Sequence, residues 1–242
     1  MSTLSAPLNL TRWIEDHRHL LKAPVASKCV WEDRDFIVMV SGGPLHRKDF
    51  HINPTEELYF QVEGDILLRI VDAHGQQREL PIRAGEMFLL PPGVPHAPQR
   101  ATGTIGLVVE RRRPRGEDDR LRFYCEKCNE VVYEESFELK DMVGGPGTGG
   151  GKLKRMMDEF WSDATLRTCV HCGTVVHPPS GQVSQPPKEM GVPAMKIGSG
   201  GNAGGASASA KTGAGAMAPG RKAASKPIVR AGGKKVVVRG RG

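Results

Sequence analysis

The sequence predicts a mainly β fold: a β-sandwich or barrel, then a small metal-binding α+β module, then a basic tail. Three observations carry this. From about Cys29 to Glu110, short apolar runs alternate with turn residues at regular intervals. Four of the five cysteines then form two Cys-x-x-Cys pairs. Last, Gly198 to Gly220 is nearly all Gly, Ala and Ser, which leaves too little apolar surface to offset the entropy of ordering it. The expected division is 1–115 for the β domain, 116–180 for the four-cysteine module and 181–242 for a disordered tail.

The elements follow in order. Asn9 or Thr11 can cap a short helix that places Leu10, Trp13, Ile14, His17 and Leu21 near one face. His17 and His19 read there as surface or packed residues. Strands are expected at Phe36–Val40, Leu58–Val62, Ile66–Val71, Met87–Leu90 and Ile105–Val109. Between them lie the turn signals Gly42-Gly43-Pro44, Glu63-Gly64-Asp65, His74-Gly75, Ala84-Gly85-Glu86 and Pro91-Pro92-Gly93. Arg111 to Arg122 is charged and reads as a connector. Leu153, Met156, Met157, Phe160 and Trp161 then fall at helical spacing, an apolar stripe suited to core packing.

Charge is unevenly distributed. From Gln185 onward eleven Lys and Arg face the single acid Glu189, a local charge of +10; with +7 for the whole chain, the preceding part carries −3. The basic character therefore belongs to the tail. No base-reading module or stacking aromatic accompanies it, so a solvated extension is expected rather than a nucleic-acid site. No apolar run reaches the ~20 residues of a membrane span, and no secretory signal opens the chain. A soluble, cytoplasmic protein is the resulting expectation. In that setting paired cysteines favour metal over disulfides, while the lone Cys29 reads as a small buried hydrophobe.

Gly43, His51, Glu57 and Gly64 form one block, and Gly85, Pro91, Gly93 and His96 a second. These blocks resemble the two motifs of cupins, which are jelly-roll β-barrels. The second matches in register. The first departs, because cupins usually carry His-x-His ahead of the Glu and Asp49 here takes the first of those positions. Two imidazoles and one carboxylate remain: His51, Glu57 and His96. Such a facial triad suits the non-haem iron(II) oxygenases, Fe(2+) keeping open positions for substrate and O2, as a closed four-ligand site does not.

Alternation along the strands says what surrounds the metal. If His51 points inward, so do Asp49 and Arg47; if His96 does, so do Pro98 and Arg100; Glu110 shares a face with Val108. Interior charges are costly unless paired, so Arg47 and Arg100 point to an anionic small-molecule substrate, a carboxylate gripped bidentately. Glu110 can accept a proton or hydrogen bond from it. His46, on the opposite face from Arg47, is expected at the surface, and His74 in a turn.

With Gly42-Gly43-Pro44, Arg47, Asp49 and His51, then Glu56-Glu57, Phe88-Leu89-Leu90-Pro91, Val94-Pro95-His96, Pro98-Gln99-Arg100 and Val109-Glu110-Arg111, the chain resembles the 3-hydroxyanthranilate 3,4-dioxygenase family over about residues 7–179. The resemblance implies iron held by His51, Glu57 and His96, with Arg47, Arg100 and Glu110 as catalytic and substrate-binding residues and Glu57 also beside the substrate. It implies ring opening of 3-hydroxyanthranilate by O2 to 2-amino-3-carboxymuconate semialdehyde, which closes to quinolinate, as in the kynurenine pathway and NAD biosynthesis. A homodimer is implied by microbial members. Family members often carry Asn where Ser27 stands, so a shorter hydrogen-bonding side chain is expected there. Microbial members also resemble this chain in a rubredoxin-like centre: Cys125, Cys128, Cys169 and Cys172 are expected to hold a second iron or zinc in a closed, structural site, with His171 a neighbour rather than a ligand.

Overall fold

The structure, a computed structural model, describes residues 6–22, 27–31, 35–138, 152–181, 183, 185–188, 190–191, 228–231 and 234–237. Two sheets face one another. One is five-stranded and runs β1 (Ser27–Trp31), β2 (Phe36–Gly42), β9 (Ile105–Arg111), β4 (Glu57–Glu63), β7 (Met87–Leu90). The other is eight-stranded, with β13 (Lys234–Val237), β12 (Ile228–Ala231), β11 (Val131–Phe137), β10 (Asp119–Tyr124), β3 (Asp49–Ile52), β8 (His96–Arg100), β5 (Ile66–Val71) and β6 (Gln77–Ile82) in that order.

The sandwich closes over Ile37, Met39, Tyr59, Ile66, Leu68, Ile70, Leu80, Ile82, Leu90 and Val108. Its two-residue alternation is visible in β4 and β5, where buried and half-buried positions succeed one another. Cys29 packs against this core. Helix α1 (Leu10–His17) is capped by Asn9, whose side chain accepts from the Arg12 amide at 2.9 Å. The helix lays Ile14 and Leu10 with Trp13 over Val40, Ile105 and Leu107 of the five-stranded sheet. All five strands expected between residues 36 and 109 are present.

The four-cysteine module is not separated from the sandwich at residue 115. Strand β10 pairs antiparallel with β3, matching Leu121 to His51, so β10 and its partner β11 extend the sandwich's own sheet. The two strands carry the second core with α2 (Lys152–Ser162) and α3 (Ala164–Arg167): Leu121, Phe123, Tyr133, Met156, Phe160, Leu166 and Val176. Phe123 and Phe160 stack with centroids 3.7 Å apart, so the apolar stripe of α2 is core, as expected from its spacing.

Most of the tail lies outside the described residues, and the expectation made for Gly198 to Gly220 with it. The parts that are described lie against the rest of the fold. Pro186 is buried, and Arg83 donates to the carbonyls of Pro187, Lys188 and Met190. Strand β12 joins β11 in parallel and β13 pairs back on β12. Ile228, Val229, Val236 and Val237 are β-branched, and the outer edge of β11 offers them unpaired backbone groups.

Candidate metal and substrate site

The site sits between the two sheets, and each sheet supplies one kind of group. On the eight-stranded sheet His51 and His96 are direct cross-strand partners. On the five-stranded sheet Glu57 and Glu110 are partners in the same way. Inward alternation turns all four toward the sandwich interior, and each is 5% exposed or less. The donor atoms of His51, Glu57 and His96 lie within 4.8 Å of one another, so the structure brings together the three residues expected to hold a metal.

Each imidazole is oriented by an acceptor. Val94 offers a carbonyl to His96 Nδ1 at 3.0 Å. A carbonyl only accepts, so Nδ1 carries the proton and Nε2 faces Glu57 Oε2 at 3.0 Å. Asp119 Oδ2 stands 3.1 Å from His51 Nε2. Burial works against its ionisation, but His51 and Arg113 outweigh that and hold the Asp119 carboxyl below its usual range. An ionised carboxylate only accepts, so Nε2 carries the proton and Nδ1 is left for a cation. Asn53 Nδ2 donates to Glu57 Oε2 at 3.0 Å. Burial tends to raise the Glu57 carboxyl, yet the neighbouring imidazoles and Tyr59 bring it down to about 2. These three side chains therefore present an anionic pocket with two oriented nitrogens, a donor set that fits a divalent transition metal.

Beside the triad stand two arginines. Arg100, 1% exposed, is among the largest fully buried side chains. Its Nη1 donates to Gln61 Oε1 at 3.3 Å, and its Nε has no partner among the described residues. Burial alone brings its pKa from 12.5 down to about 10, against the opposing pull of Tyr59 and Glu57. Gly106 makes room for it: a Cβ there would lie 2.6 Å from Gln61 Oε1 and 3.0 Å from Arg100 Nη1. Arg47 is half-buried and ion-paired with Asp49, Nε donating to Oδ2 at 3.0 Å. Glu110 is pushed up to about 7 by burial and then by the charge of Glu57, with Arg113 pulling the other way.

Sequence reading missed several neighbours. Tyr59 shares the inward face of β4 with Glu57, and alternation could have found it. Arg113 and Asp119 lie within the charged stretch taken as a connector, and nothing local marks them as buried. Ser27 is exposed, with its hydroxyl 2.7 Å from that of Ser41. His46, expected at the surface, is half-buried instead, with Nδ1 enclosed, because the loop before β3 folds back onto Gln99 through Arg47.

The cysteines converge as expected. Cys125 Sγ lies 3.5 Å from Cys172 Sγ, and Cys128 Sγ 3.5 Å from Cys169 Sγ, all four within reach of a single ion. The two knuckles repeat one backbone device. Asn129 donates its amide to the Cys125 carbonyl and Gly173 to that of Cys169, at 2.9 and 2.8 Å. Both residues sit at positive φ, 61° and 74°, a conformation open to Gly and tolerated by Asn. His171 is exposed beside the cluster.

Known proteins resemble this chain in sequence. The family model for 3-hydroxyanthranilic acid dioxygenase matches residues 1–160. The chain belongs to that family. A 3-hydroxyanthranilate 3,4-dioxygenase of Xanthomonas euvesicatoria is 49% identical over 175 residues, covering 72% of this chain and 94% of that protein. One from Neurospora crassa is 43% identical, covering 76% and 98%. Among solved structures, a cupin-2 domain protein from Shewanella frigidimarina aligns at 20% identity and a TM-score of 0.35, over 41% of this chain and 92% of that one. The family match ends at 160, before the second cysteine pair.

Proposed function

We propose that this protein is a ring-cleaving dioxygenase acting on 3-hydroxyanthranilate and O2, with Fe(2+) held by His51, Glu57 and His96. The observation that carries the reading is the fully buried Arg100, whose Nε has no partner among the described residues, on the strand that also gives His96 to a His, His, Glu triad. A buried cation without an anion is costly, and a carboxylate-bearing substrate completes it. Ferrous iron bound at the triad supplies open coordination positions and the electronic route by which an aminophenol reacts with O2.

The chain's own residues do the rest. Arg100 binds and orients the substrate carboxylate. Glu110 Oε1, the oxygen that Arg113 leaves unengaged, takes or returns a proton, since its pKa of about 7 is matched to neutral solution. Arg47, fixed by Asp49, places a positive charge at the rim. Tyr59 and Phe137, both buried against the imidazoles, exclude water. The product is 2-amino-3-carboxymuconate semialdehyde, the precursor of quinolinate.

The four-cysteine cluster holds a second iron or zinc ion in a structural role, because four thiolates leave no open position. Thiolates of this kind need a reducing compartment, which supports a cytoplasmic location. No helix among the described residues is long and apolar enough to cross a membrane. The outer face of the five-stranded sheet supports a homodimer. Phe36, Met87 and Leu89 are 52%, 71% and 53% exposed, and Leu58 and Phe60 lie beside the last two in register, an apolar patch of the kind that marks an interface.

The test is direct. Anaerobically iron-loaded protein is mixed with 3-hydroxyanthranilate, O2 is admitted, and semialdehyde absorbance and O2 uptake are followed together. One O2 consumed for each semialdehyde formed is expected. Iron bound at the triad with no O2-dependent product would overturn the assignment.

A further inference from the structure

We infer that Arg113 and Asp119 are positioning residues that tie the metal-binding His51 and the substrate-side Glu110 into one buried ionic frame. The inference rests on the proposed function and adds two residues to it.

The geometry is unusually complete. Arg113 and Asp119 side chains are 4% and 0% exposed. Arg113 Nε donates to Asp119 Oδ1 at 2.5 Å, and Nη2 donates to Asp119 Oδ2 at 3.0 Å and to Glu110 Oε2 at 2.6 Å. Nη1 donates to Thr55 Oγ1 at 3.0 Å and to the Arg111 carbonyl at 2.7 Å. A guanidinium has five N–H groups in a fixed plane, and these contacts use every one. Asp119 in turn accepts from His51 Nε2. A continuous chain thus runs His51, Asp119, Arg113, Glu110, crossing from one sheet to the other.

Within each sheet the strands are already joined by their own ladders, β3 with β10 and β4 with β9. What the chain does set is side-chain orientation. Asp119 selects the tautomer and plane of His51. Arg113 fixes one oxygen of Glu110 and leaves the other for substrate. Lysine cannot replace Arg113, because a single ammonium with three donors cannot span two carboxylates and a carbonyl at once.

The test uses full-length protein with its four-cysteine site loaded, and reads the Fe(2+) dissociation constant of the cupin site by chelator competition, with no turnover involved. Asp119→Asn is expected to weaken iron binding roughly 10- to 100-fold, the usual effect of losing an orienting partner. Arg113→Lys, which touches no metal ligand, should weaken it in the same direction and also raise KM. The double variant should bind iron no more weakly than the worse single variant, since both act through one chain. Either variant folding with near-ultraviolet dichroism like the parent, yet holding iron as tightly, would overturn the inference. Failure of both to fold would overturn it too, since the network would then serve stability alone. Parent protein that binds iron at the triad but yields no semialdehyde would instead sink the proposed reaction and leave these couplings measurable.

Discussion

Arg100→Met should make the protein more stable and much less able to bind its substrate. Arg100 is buried, its guanidinium donates weakly to Gln61, and its Nε has no partner among the described residues. Burial lowers its pKa from 12.5 to about 10. Below that pH the group is charged both folded and unfolded, so the full cost is present at neutrality: about 3 kcal/mol, at ~1.4 kcal/mol per tenfold. Methionine removes the charge and keeps an apolar stem, at the cost of a small void worth roughly 1 kcal/mol. The net gain of about 2 kcal/mol corresponds to a rise in Tm of roughly 4–8 °C for a domain of this size. Against this, losing a desolvated partner of the substrate carboxylate costs about 2–5 kcal/mol of binding, about 30-fold to a few thousand-fold in Kd. Differential scanning calorimetry on the substrate-free protein and anaerobic titration with 3-hydroxyanthranilate measure the two effects. Iron content should not change. A lower Tm with unchanged substrate affinity would show Arg100 to be a structural cation and would refute the reasoning.

Other perturbations separate the parts of the molecule. Gly106→Ala places a methyl against Gln61 and the Arg100 guanidinium, so KM should rise several-fold with iron content intact; an unchanged KM would mean that Arg100 does not need its observed position. His51→Ala should lower metal content from two ions per chain to one and abolish O2 uptake, as read by elemental analysis. Cys125→Ser should remove the other ion and lower Tm while the triad keeps its iron. Phe160→Ala empties the centre of the second core, where Phe160 stacks on Phe123. It should cost about 3–5 kcal/mol and be seen as a lower midpoint in urea. Because β10 belongs to both the second core and the sheet of the triad, iron affinity should fall as well.

Which strands form is readable from two-residue alternation in runs such as Ile66–Val71, and so is which residues share an inward face. His51, Glu57, His96, Arg100 and Glu110 were legible because period and motif spacing are local properties, and the α2 stripe was legible for the same reason. How the stretch after residue 115 joins the rest depends on the folded chain. Strand pairing between β3 and β10 is a non-local choice, and Arg113 and Asp119 sit in a stretch whose charge reads locally as solvated. Once β10 lies beside β3, burial leaves those charges no water, and they are satisfied only by each other and by the site. The same holds for Ser27 and His46, whose surroundings are set by neighbours distant in the chain.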